Sequence, residues 1–582
     1  MPPLSISELS SPASFRTAIQ SPDGIGAMAS PSPPPPALGP AYARASELPR
    51  ELKEHCQIYL EEHLYNGALG LYNSLLTAGY SRKDANRKPV HVPPSTHLAL
   101  LNTLTIHPGH TTRAAGPDRL EVASQTLDYL RNLLAIVGPI NAGFKGAFQF
   151  HGVQYGRRRK FEDEDDVFDG DQIGNNKMAS EDSIWQRAHD FWSVVGWAFN
   201  CSRVHPHRWR FWKVWLEFML EVLEADLLER KRLDEEASSS SQTSQCTNLG
   251  ESIIAMYVKQ KTGPGRNGLK AILQAIFADG SVTSMAKFPE IFNKETRGLP
   301  SDDKKRKRMA AVDIENDQFG DYFNEDLTDS EPSEMGTPGT PGTPRTPLTK
   351  PGEVVEPAMA DSIPLRLRLM ELLSEIAYDM PDDFMEHNDY TSELCRLLKQ
   401  QPLSFFQQFI ADMGTHQGHT GGGFQIDLLT IQLDQLLPSG YVDPKTVNEV
   451  EGFGIVINAD VMESCYLAHH ANTVDPDDNA RVALILENLL YKLARQDVRD
   501  AAERLRAAAV EGIEARKGKA KMRGSNRRAA GTPSRRGRGR KGPSARDLYA
   551  RETMESAGER MLLFIDIMGA SSESDEDDEM ED

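Results

Sequence analysis

Cysteine is scarce and unpaired in this sequence. Cys56, Cys201, Cys246, Cys395 and Cys465 lie far apart and no CxxC occurs. That spacing excludes a disulfide framework and a cysteine zinc site, and fits a reducing compartment. Long apolar runs are missing too. No stretch reaches the roughly 18 apolar residues a membrane helix needs, and the densest, 191–223, is interrupted by Arg, His, Lys and Glu. The opening MPPLSISELSSPASF has neither a basic n-region nor an apolar h-region, so it does not read as a secretory signal. Apolar residues reach only 39% and mean hydropathy is −0.48. Both values predict that much of the chain is linker rather than core. A net charge of −20 disfavours adhesion of the whole molecule to nucleic acid or anionic membrane.

Catalytic patterns are equally thin. Gly263, Gly265 and Gly268 match GxGxxG but follow a helix-like stretch instead of a strand, and Leu269 stands where a phosphate loop needs lysine. His416 with His419, or His469 with His470, lacks the further ligands a metal requires. No cofactor, metal or enzymatic activity is expected. An enzyme on an unrecognised helical fold is the alternative.

What the sequence does contain is helical periodicity. Leu48, Leu52, Cys56, Tyr59, Leu60 and Leu64 recur at spacings of three and four, one face of a helix. Similar patterns follow at 68–76, 97–104 and 120–136. All six tryptophans fall in one window: Trp185, Trp192, Trp197, Trp209, Trp212 and Trp215, joined by Phe191, Phe199, Phe211 and Phe218. Asp182 and Ser183 suit an N-cap and Pro206 breaks the pattern, which predicts an antiparallel pair over 183–202 and 206–230. The tryptophans read as its core. A partner-facing patch of His207, Arg208, Arg210 and Lys213 is the second reading.

Short amphipathic helices are expected at 249–261 and 269–278, after the serine-rich break at 238–245. Leucine stripes resume from Ile363 and recur to Leu493 without β-branched alternation. The expected fold is therefore all-α: an irregular armadillo/HEAT-like solenoid or bundle in two blocks. The predicted organisation is a disordered leader (1–45), a helical block (46–295) with a loop at 157–180, and a disordered linker (296–360). A second helical block (361–515), a basic disordered arm (516–546), a C-terminal helix (547–569) docking on the second block, and an acidic tail (570–582) complete it.

Charge is strongly segregated. Lys304, Lys305, Arg306, Lys307 and Arg308 form a run that reads as a nuclear localisation signal. Between Arg516 and Arg546 stand thirteen Lys/Arg and no acid. Within that run Arg535, Arg536, Arg538, Gly539, Arg540 and Lys541 are candidate nucleic-acid contacts. SRRGRGRKGP resembles an AT-hook, in which an Arg-Gly-Arg core, here Arg538-Gly539-Arg540, enters a narrow A·T minor groove. Lys541 stands where that motif has proline. A second import signal or a nonspecific phosphate-binding arm remain the other readings. Thr337, Thr340, Thr343, Thr346 and Thr532 precede proline, and Ser572 and Ser574 precede acids, so all seven are candidate phosphorylation sites. Together these features predict a nuclear scaffold or adaptor of a chromatin, genome-maintenance or ribosome-assembly complex. Its partners would be protein subunits, and DNA or RNA through the arm, with no membrane.

Overall fold

The computed structural model describes residues 42–80, 89–151, 173–240, 248–261, 267–297, 357–415, 423–447, 456–493, 499–529 and 544–570. Helix accounts for 75% of them and strand for 2%. The strands, Ala45–Glu47 and Val90–Val92, pair in parallel. Helix α1, Arg50–Glu61, buries Cys56 and Leu60. It stops short of the stripe read from sequence, because His63 takes a left-handed φ of 58° and turns the chain into α2, Tyr65–Tyr80. Leu64 is thereby left 55% exposed instead of joining the core. Helix α3, Ser95–Ile106, and helix α4, Pro117–Val137, complete this first layer, with Pro117 at the first turn of α4 and Gly138 ending it at φ 81°.

The aromatic hairpin forms with shifted boundaries. Helix α5 spans Phe191–Val204 and helix α6 Pro206–Ser240. The N-cap is Asp190, not the expected Asp182 or Ser183. Its carboxylate accepts from the Ser193 N–H at 2.7 Å, while the Asp190 N–H donates to Ser193 Oγ at 3.1 Å. That reciprocal box outcompetes the earlier signal, leaving Ile184–Arg187 as one separate turn. All six tryptophans are at most 3% exposed. Five indole N–H groups donate to partners: Ala99 O, Tyr257 O, Asp361 Oδ2, Glu295 Oε2 and Asn102 Oδ1. The sixth, Trp197 Nε1, is buried without one. Arg208 is also fully buried, so the cationic surface patch expected at 207–213 does not exist as such. Only His207 and Arg210 of that group are exposed.

Helices α7, Ile253–Lys261, α8, Asn267–Ile276, and α9, Val282–Lys287, then pack around α5. After residues 298–356 come α10, Ile363–Asp379, α11, His387–Lys399, α12, Leu403–Thr415, and α13, Gly423–Leu436. A π-helical turn follows at Met462–Leu467, then α14, Pro476–Leu493, α15, Ala502–Ala529, and α16, Ala545–Ala570. Helix α14 is buried along nearly its whole length between α12, α13 and α16. The C-terminal helix docks on it through Met561 and Ile565 and through Arg560, whose guanidinium grips the Glu487 carboxylate at 2.6 and 2.8 Å. Helices on both sides of 298–356 touch directly. Arg368 of α10 holds Glu224 of α6 at 2.6 and 2.7 Å, and Lys231 of α6 bridges Glu375 and Asp379, each at 2.8 Å.

The basic arm needs correction at its start. Residues 516–529 belong to α15. Leu505, Ala509, Gly512, Arg516 and Ala520 recur at spacings of three and four and face inward, a helical stripe masked by small and charged residues. Arg516 is fully buried, and its Nη1 donates to Leu467 O at 3.1 Å and His469 O at 2.8 Å. A Cβ on Gly512 would fall 1.8 Å from Leu467 O, so only glycine lets α15 approach the π turn this closely.

The indole pairing gives a ranked expectation. Trp215→Phe leaves the buried Asn102 Oδ1 without its donor, whereas Trp197→Phe removes a donor that has no acceptor. Urea unfolding should show the first costing about 1–3 kcal/mol more than the second. Equal costs would contradict the assignment of Trp197 Nε1 as unpaired.

Candidate functional site

A cleft of about 1810 Å³ opens in the first helical region. One wall is the start of α3 and the turn before α5; the other is formed by the ends of α7 and α9 and by α8. Trp185 fixes the floor. Its ring stacks on Phe148 at 5.0 Å and packs against Phe150 at 4.8 Å, and its N–H reaches Ala99 O at 3.1 Å. The facing Phe288 is held by close approach to α5, where a Cβ on Gly196 would meet its ring at 2.4 Å. Gly196 is the one sequence signal that could have pointed here. The remaining lining residues are spread from Ser95 to Ile291 with no local motif.

Most charged groups of the cleft are committed to neighbours. Arg187 pairs with Asp182 at 2.5 Å, Glu181 with Lys177 at 3.5 Å, and Glu290 Oε1 accepts from the Thr296 N–H at 3.0 Å. Lys261 and His189 both reach the Asp190 carboxylate, at 2.5 and 2.9 Å. Burial works to raise that carboxyl, but the Lys261 ammonium, His189 and the Ser193 N–H hold it below its ordinary value. Lys287 lies across the cleft, with Gln274 as its hydrogen-bond acceptor. Burial pushes its ammonium down, and the charges of Lys261 and Lys270 add to that.

A second cavity of about 820 Å³ is lined by His63, Tyr65, His107, His110, Arg119 and Lys177 among others. The Gly109 N–H donates to His107 Nδ1 at 3.2 Å, and His110 Nδ1 donates to Arg119 O at 3.3 Å. Burial pushes both imidazoles down to about 4, and buried His97 likewise. These rings serve the core as neutral groups.

Of the chemistry-bearing candidates read from sequence, few fall where structure is described. Lys304–Arg308, Thr337, Thr340, Thr343, Thr346, Thr532, Arg535, Arg536, Arg538, Gly539, Arg540, Lys541, Ser572 and Ser574 lie outside the described residues. So do His416, His419, Gly263, Gly265 and Cys246. Gly268 sits in the first turn of α8. His470 Nδ1 bonds Ala471 O at 2.7 Å. Among the described residues no three His, Cys, Asp or Glu gather as a metal cluster, and no helix is long and apolar enough to cross a membrane. Burial raises the thiols of Cys56, Cys201, Cys395 and Cys465, so none is poised as a thiolate nucleophile.

The depressed histidines set a pH dependence. A ring at about 4 in the folded chain and about 6.5 unfolded binds protons preferentially in the unfolded state between those values. Its contribution is complete above about pH 6.5 and is lost as pH falls towards 4. The stability difference between wild type and His107→Gln should therefore close by about 3 kcal/mol from pH 7 to pH 4. Carboxylates common to both chains cancel in that difference. Denaturant titrations across the interval check it, and a constant gap would refute the neutral buried imidazole.

No known protein family matches this chain, and no curated protein is significantly similar to it.

Proposed function

We propose that the chain is a non-enzymatic nuclear scaffold or adaptor, an irregular armadillo/HEAT-like succession of helices that grips protein partners. It would serve a chromatin, genome-maintenance or ribosome-assembly complex. The observation that carries the reading is the cleft. Its 1810 Å³ exceeds the roughly 300–1,000 Å³ of small-ligand pockets, and its acids are tied into structural pairs rather than converging on one reacting point. A concavity of that size and chemistry suits a polypeptide segment.

The compartment rests on charge: a basic run at 304–308 and another at 535–541, both of a kind that import receptors read. Nucleic acid would be contacted through the second, whose AT-hook resemblance favours A·T-rich duplex. Phosphorylation at Thr532 would add about −1.5 to −2 charges beside it.

Replacing 304–308 and 535–541 together with alanine should move the protein to the cytoplasm, scored by microscopy. A fully nuclear double variant would sink the import assignment. Purification from nuclei should recover a defined set of protein subunits, and Gln186→Trp, which fills the cleft from an exposed position, should lose at least one of them.

The arm has its own readout. With about 4–6 phosphates neutralised, the slope of log K against log salt on duplex DNA should be roughly −3.5 to −5.5, and a chain lacking 530–543 should lose most of it. Absence of binding at low salt would confine that segment to import.

A further inference from the structure

The last two turns of α16 depart from the pattern of a surface helix. Seven of the eight residues from Met561 to Met568 are apolar, and a helix that is apolar all round is normally enclosed all round. Here one side is enclosed. Ala550, Met554, Ala557, Met561 and Ile565 face inward, recurring at spacings of three and four. On the other side Leu563 stays 62% exposed and Ile567 57%. Leu548, 53% exposed, begins the same outward stripe, which runs on through Glu552, Glu555 and Glu559 at helical spacing. Tyr491 of α14 widens it. Its exposed ring meets Phe564, one turn before Ile567, edge-on at 4.6 Å.

Charge along this face is mainly negative. Glu552, Glu555 and Glu559 are exposed, and none has an ion-pair partner among the described residues. The cations near them are engaged elsewhere. Arg560 grips Glu487, Arg506 of α15 holds the outward Asp566 at 2.8 Å, and Lys517 lies 3.9 Å from Glu514. Arg551 turns inward, its Nη2 donating to Ala520 O at 3.4 Å. Lys519 lies round α15 on the side of Arg504, which reaches Asp460 and Glu463. That leaves Lys521 to set against three carboxylates. The sequence after the helix, 571–582, adds eight acids and no Lys or Arg.

We propose that this outer face of α16 is the docking surface for a basic amphipathic helix of a partner protein. The stripe from Leu548 to Ile567 is about 29 Å long, the length of about five helical turns. Apolar side chains of the partner cover Leu548, Leu563 and Ile567, and its lysines or arginines meet the three glutamates between them. Charge and composition argue against other occupants. A second copy would lay the same carboxylates against one another across a two-fold axis. The chain's own basic segment, 530–543, contains no Leu, Ile, Val, Met or aromatic residue, so it could meet the glutamates without covering the apolar positions. The surface shares no residue with the cleft. It rests on the scaffold reading only in taking the occupant to be a protein.

The test uses the full chain and a fluorescein-labelled peptide of leucines at helical spacing with lysines beside them, read by fluorescence anisotropy. Binding should weaken with salt. Affinity should fall at least tenfold in the Leu563→Gln/Ile567→Gln variant, and at least tenfold in Glu552→Gln/Glu555→Gln/Glu559→Gln. All five side chains are exposed, and an unchanged melting midpoint verifies each fold. Leu548→Gln, at the far end of the stripe, reads the same surface independently. The peptide's residues rearranged without helical spacing should bind at least tenfold more weakly. Equal binding of the rearranged peptide, or wild-type affinity in either multiple variant, would overturn the proposal.

Two further measurements address the competing occupants. Arg535→Gln, Arg536→Gln, Arg538→Gln, Arg540→Gln and Lys541→Gln together should leave affinity for the probe unchanged. A tenfold gain would assign the face to the chain's own basic segment and overturn a partner helix. Sedimentation should give wild type and Leu563→Gln/Ile567→Gln the same mass. A wild-type dimer that this variant dissociates would assign the face to a second copy instead. The scaffold reading stands or falls apart from all of these. If the probe fails while Gln186→Trp still loses nuclear partners, the helix-docking surface is wrong and the scaffold remains. If the probe binds as expected but Gln186→Trp loses no partner, the cleft reading fails and the docking surface remains.

Discussion

A guanidinium inside an aromatic core needs partners for its nitrogens, and Arg208 finds one for each of the three in a way that organises the first helical region. Its Nε reaches the Glu295 carboxylate, Nη1 donates to Thr111 Oγ1 at 2.7 Å and Nη2 to Ile106 O at 2.6 Å. The plane lies 5.1 Å from the Trp212 ring and 5.9 Å from Phe292. Glu295 is satisfied in turn by Trp212 Nε1 and by the N–H groups of Ile291 and Phe292. One buried pair therefore ties α6 to the end of α3 and to the segment 291–295 that closes the cleft wall. Loss of either partner would strand the other charge in a medium where an unpaired ion is very costly.

The same helix anchors the chain on both sides of residues 298–356. Glu295, just before them, is bound to Arg208 and Trp212; Asp361, just after, accepts from Trp209 at 3.1 Å and from Lys213 at 2.6 Å. Both flanks are thus fastened to the first two turns of α6. Arg366 secures the junction further on. It stands 4.1 Å over Phe199 and donates to Ile276 O and Ala278 O at the end of α8. Burial lowers its guanidinium to about 9, and that of Arg516 to about 10. Neither has a carboxylate hydrogen-bonded to it among the described residues; each is stabilised by carbonyls at the C-terminal end of a helix, where the backbone dipole is negative.

Sequence pattern reveals the kind of structure well and its connections poorly. The tryptophan window, the leucine stripes from Ile363 and the docking of the C-terminal helix are legible because apolar periodicity reports which face is buried. Helix starts are less so. Asp190 prevails over Ser183 through a bond to Ser193 that composition does not reveal. Arg516 is the harder case. Charge is normally read as exposure, and its run of basic neighbours makes α15 look like an unstructured arm. Only the contact with Leu467 O and His469 O, nearly fifty residues away in sequence, explains why an arginine faces inward. Arg208 disguises itself in the same way beside His207 and Arg210.

Apart from Gly196, the cleft left no mark in the sequence pattern, for a related reason. Its floor, walls and charges come from helices separated by up to about two hundred residues, and no local spacing encodes such a meeting. What local sequence does encode is the cost of each placement. A lysine near the N-terminal end of α8 works against the dipole of the helix that carries it, and burial, with the charges of Lys261 and Lys270 adding to it, pushes the Lys287 ammonium down. Groups that weaken their own fold are where structural necessity stops accounting for residue choice. In this chain the buried arginines look anomalous in sequence, and their partners are backbone and side-chain groups far along the chain, Glu295 and Ile106 for Arg208 and Leu467 and His469 for Arg516.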